Sequence, residues 1–126
     1  MILALMLAAA SPVAACAHPA LTPSLRSSMS LAIRRGAGAA QPVKAGEISD
    51  IMDGGDWRLV WATPAESERG VYFLTRSGSS WKYIDVWGGV IAPEERASTI
   101  AWAQQRGRKV PAALAICFAD ALLSGN

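Results

Sequence analysis

The chain has 126 residues, with 12 Lys and Arg against 10 Asp and Glu and a formal net charge of +2. That length suits one domain around one core, and that charge is too small to argue for nucleic acid as a partner. A single histidine and two cysteines argue against a zinc site and against Ser-His-Asp or Cys-His catalysis, both of which need converging partners.

In chain order the first feature is an apolar run from Met1 to Ala10, broken at Ser11-Pro12 and followed by small residues up to Cys16. This is the layout of a secretory signal, and it is shorter than the roughly 20 apolar residues a membrane-spanning helix needs. The run Val13-Ala14-Ala15-Cys16 resembles the lipobox of bacterial lipoproteins. That resemblance implies that Cys16 receives diacylglycerol on its sulfur, becomes the first mature residue and holds the chain to the membrane through its N-terminal lipid. Ala15-Cys16-Ala17 also reads as an A-x-A site for ordinary signal peptidase, which would release a soluble chain starting at His18. The expected organisation is a signal over residues 1–15, a tether over 16–22 and one domain over 23–126. With Cys16 acylated or removed, Cys117, inside the apolar run Leu114 to Ala119, is expected to be a buried, unpaired thiol.

Thr22-Pro23 predicts a helix start, with Leu25, Met29, Ala32 and Ile33 on one face and Arg34 and Arg35 at a C-terminus stopped by Gly36. The stretch from Gly36 to Pro42 reads as a linker. Ile48, Ile51 and Met52 fall at helical spacing and predict a short helical turn closed by Gly54-Gly55. Three strands are expected at Trp57–Thr63, Val71–Arg76 and Trp81–Trp87, paired as an antiparallel meander with Arg76 opposite Trp81. If Ala62 faces Val71, then Trp57, Trp61, Trp81 and Trp87 all project from one side, together with Tyr83 and Asp85. Pro93-Glu94-Glu95 opens a further helix ending near Gly107, and Pro111 opens a last one with Leu114, Cys117, Phe118, Ala121 and Leu122 as its apolar stripe. The expected fold class is therefore α+β, a three-stranded antiparallel meander packed by N-terminal and C-terminal helices.

No residue is assigned a catalytic or metal-binding role, and no cofactor is expected. Asp50 to Asp56 lacks the ligand spacing of a calcium loop and reads as a turn. Asp85 interrupts an aromatic strand face, where pairing with Arg76 is its simplest role. Five tryptophans in so short a chain serve either as core or, in part, as an open platform, with Tyr83, Asp85 and Trp87 as the candidate ligand-binding rim. The resulting expectation is a bacterial cell-envelope lipoprotein, or a soluble periplasmic or secreted protein, with a binding or structural role toward an envelope protein or glycan. The alternatives are a small envelope hydrolase using Asp85 or Glu66 with Glu68, and an inhibitor presenting the loop from Pro64 to Gly70 to an envelope enzyme.

Overall fold

The computed structural model describes residues 16–38, 43–107 and 109–125. The signal segment, including Val13 to Ala15, lies outside the described residues, as do part of the expected linker and Arg108. Four antiparallel strands form one sheet in sequential order: β1 (Ile48–Gly54), β2 (Trp57–Ala62), β3 (Gly70–Ser77) and β4 (Ser80–Gly88). Helix α1 (Pro23–Ala37) covers one face, and the helices α2 (Arg96–Gln104) and α3 (Ala112–Leu123) cover the other. The α+β class thus holds, with four strands in place of three.

The helix boundaries follow the local chemistry. Thr22 Oγ1 accepts a hydrogen bond from the Leu25 N–H at 3.1 Å, Pro23 occupies the first turn, and Arg34 and Arg35 close the last. Gly36 does not stop α1 but lies within it, where an added Cβ would overlap the Cβ of Tyr83; Gly38, at φ 82°, is the cap. A 3₁₀ turn over Pro93–Glu95 precedes α2. Helix α3 follows Pro111 and buries Leu114, Ala115, Phe118, Ala119 and Leu122, a stripe rotated from the expected one.

The added strand is β1, whose apolar spacing had predicted a helical turn. Its register shifts between Ile48 and Asp50, so Ile48 and Ile51 both face α1 while Met52 packs on the opposite side. A bulge inserts one residue into period-two alternation and leaves a spacing of three, which imitates a helix. The turn expected over Asp50 to Asp56 shrinks to Gly55-Asp56, with Gly55 at φ 59° and Gly54 paired to Trp57.

Two register effects rearrange the expected sheet faces. Ala62 pairs with Gly70, not Val71, so Trp57, Leu59 and Trp61 share a face with Val71 and Phe73. In β4 the register shifts again: Leu74 pairs with Tyr83 and Phe73 with Asp85, leaving Ile84 as the extra residue. Trp81 and Tyr83 therefore pack toward α1, and Ile84 and Trp87 toward α2 and α3. The four strand tryptophans do not share one face. Trp57, Trp61 and Trp87 join Trp102 of α2 in the larger core, where Phe73 meets Phe118 edge-on at 5.0 Å and Trp102 at 5.4 Å.

Candidate functional site

Cys16 and Cys117 are joined by a disulfide, with Cα atoms 6.1 Å apart. This corrects the expectation of an unpaired thiol at Cys117. In this form the Cys16 sulfur is bonded to that of Cys117. The segment expected as a tether is docked as well. The Asp53 N–H donates to the Ala17 carbonyl at 2.7 Å, and His18 Nδ1 lies 3.1 Å from Asp50 Oδ1, so residues 17 and 18 follow the outer edge of β1. A cleft of about 370 Å³ beside the disulfide is lined by His18, Asp50, Trp61 and Asp120. A hydrogen bond from Arg96 holds the Asp120 carboxyl below its ordinary range.

The three residues of the expected rim are divided between the two faces. Tyr83 packs beneath α1 with its ring 6.3 Å from that of Tyr72, and burial, reinforced by the nearby Asp85 charge, pushes its hydroxyl pKa up. Trp87 packs against Trp102 at 4.8 Å on the other side. Asp85 accepts from Arg106 at 2.8 Å, not from Arg76, and Arg106 also donates to the Trp102 carbonyl and stacks on the Trp102 ring at 4.4 Å. Asp85 thus fastens the end of α2 to β4. Glu66 and Glu68 are exposed on their loop, where Arg69 donates to the Gly125 carbonyl at 2.8 Å. Among the described residues, no three His, Cys, Asp or Glu side chains are grouped so as to hold a metal ion. No described helix is long and apolar enough to cross a membrane.

The feature with the most chemistry is a groove between α1 and the β3–β4 hairpin. Leu25, Met29 and Leu31 from α1 form one wall of a cleft of about 370 Å³, while Arg35, Arg58 and Trp81 supply its polar and aromatic side. It continues into a neighbouring cleft of about 410 Å³ that shares Ala32, Arg35, Ser80 and Trp81 and reaches Tyr83. The hairpin turns through Gly78-Ser79, with Gly78 at φ 62°, so that Arg76 stands opposite Trp81. The Arg58 guanidinium lies 4.3 Å and that of Arg76 5.1 Å from the Trp81 ring centre, within cation–π range. Arg58 is further fixed by a paired contact to Asp53, at 2.7 and 3.1 Å. Arg35 and Arg76 are exposed and make no ion pair among the described residues. The pairing of Arg76 with Trp81 is as expected, but the expected register put Arg58 on the other face, and only the observed pairing of Ala62 with Gly70 brings it alongside Trp81 under α1.

No protein-family model matches the chain, and no curated protein or solved structure matches it.

Proposed function

We propose that this chain is an exported binding domain of the bacterial envelope, closed by the Cys16–Cys117 bond, with the groove between α1 and the β3–β4 hairpin as its binding face. The disulfide is the observation that carries this reading, because such bonds persist in oxidising compartments and are rare in the cytosol. The leader supplies the export signal. A cut between Ala15 and Cys16 leaves the cysteine in the mature chain with its thiol free to pair, and small residues stand on both sides of that cut. Binding is favoured over hydrolysis because Asp85 is engaged by Arg106 and the Glu66 and Glu68 side chains are exposed. Val13-Ala14-Ala15-Cys16 supports a second reading, a lipid-anchored form in which Cys16 carries the acyl chains.

Mass spectrometry of protein recovered from a fractionated cell, alkylated before and after reduction, tests both. The expected product begins at Cys16, resists alkylation and exposes two thiols on reduction. A diacylglyceryl adduct on Cys16 replaces the disulfide reading with the lipoprotein one. A chain starting at His18 removes the bond altogether, and free thiols in a cytoplasmic pool end the export reading.

A further inference from the structure

We infer that the groove between α1 and the β3–β4 hairpin binds a dianionic phosphate group carried on a ligand with an apolar part. The inference rests on the groove being the binding face and adds the chemical class of its ligand.

Charge is the first argument. Of the cations that line the two joined clefts, Arg58 is neutralised by its two contacts to Asp53, whereas Arg35 and Lys82 are exposed and make no ion pair among the described residues. Two uncompensated cations call for about two negative charges, which a phosphate monoester carries near neutral pH and a carboxylate does not. Donor geometry is the second. A guanidinium fork matches the oxygens of phosphate, and Ser28 and Ser79 place short polar side chains along the same cleft as Arg35.

Preorganisation is the third argument. The Trp81 ring is itself held by the Arg58 guanidinium, which Asp53 fixes in turn, so the aromatic floor of the cleft is in place before an anion docks. The apolar part of the ligand is indicated by the α1 side of the cleft, where Leu31, one helical turn before Arg35, remains 43% exposed. A free inorganic ion would leave that side unused.

A phosphate of this kind can reach the groove on a soluble ester or on a lipid headgroup, and the experiment separates these sources. Oxidised, isotope-labelled protein is titrated with phenyl phosphate and with benzoate while backbone and indole resonances are followed. The expected result is a saturable shift at Ser79, Ser80 and Trp81, about tenfold tighter for phenyl phosphate than for benzoate. Arg35→Gln, an exposed position, is expected to weaken phenyl phosphate about tenfold, and Arg69→Gln, outside the groove, to leave it unchanged.

Co-sedimentation with phosphatidic acid vesicles, but not with phosphatidylcholine vesicles, assigns the headgroup source. Phenyl phosphate binding without vesicle binding assigns the soluble one. Equal affinity for benzoate, or an Arg35→Gln variant that binds as well as the parent, overturns the phosphate assignment and leaves the groove as a binding face. If neither probe perturbs the groove while resonances near Trp61 and His18 move, the phosphate assignment and the choice of groove both fall.

Discussion

The five tryptophans are chemically identical but energetically unequal. Trp61 is 2% exposed and meets Phe118 in the larger core, whereas Trp81 is half-buried and rests on two arginines at the edge of a groove. Trp61→Ala is expected to lower stability by about 3 to 5 kcal/mol, because a large buried ring leaves a cavity that the neighbours fill only in part. Trp81→Ala is expected to lower it by about 1 kcal/mol, since exposed cation–π contacts are worth roughly that much, while changing the chemistry of the groove. Chemical denaturation of the two variants beside the parent checks this. Comparable losses would mean that Trp81 belongs to the core.

At the scale of elements, much of the fold was legible and the exceptions share one cause. Thr22-Pro23 and Pro111 marked helix starts because caps act through adjacent residues, and the three aromatic strands announced themselves by composition. What escaped was register. The bulge at Ser49 in β1 gave a strand the apolar spacing of a helix, and the bulge at Ile84 in β4 moved Asp85 and Trp87 away from Tyr83. Neither leaves a local signature, since a bulge is defined by the partner strand. The same limit hid the groove, whose arginines come from α1 and β2 and whose tryptophan comes from β4.

The β4 bulge also gives α2 its anchor by aiming Asp85 at Arg106. Asp85→Ala is expected to lower stability by about 0.5 to 1 kcal/mol, as for a partly exposed ion pair. Arg106→Ala should cost about 1 kcal/mol more, because it also removes the Trp102 carbonyl bond and the stacked contact. A double-mutant cycle measured by denaturation isolates the pair, and equal losses for the two single variants would deny Arg106 its additional role.

At the scale of the whole molecule the disulfide dominates. It spans 101 positions in sequence, and closing so long a loop in the unfolded chain removes conformational freedom worth about 4 to 5 kcal/mol by the chain-entropy argument. Cys117→Ser or reduction is therefore expected to lower unfolding stability by about 2 to 5 kcal/mol, seen as a lower urea midpoint than that of the oxidised protein. Coincident midpoints for oxidised and reduced protein would show that the bond contributes nothing to stability. For a domain with a modest core, this is a large part of the total.

That same bond determines how the protein carries tension. Helix α1, all four strands and α2 lie between Cys16 and Cys117 along the chain. A pull applied at the two ends therefore travels from residue 16 across the sulfur–sulfur link into α3 and bypasses the sheet. Among the described residues, only the stretch after Cys117 can be drawn out while the link is intact. A molecule held at its N-terminus and tugged at its C-terminus would behave as a short rivet, keeping the groove between α1 and the hairpin in shape under load. Once the link is reduced, the same pull would reach α1 and the sheet and could unravel them.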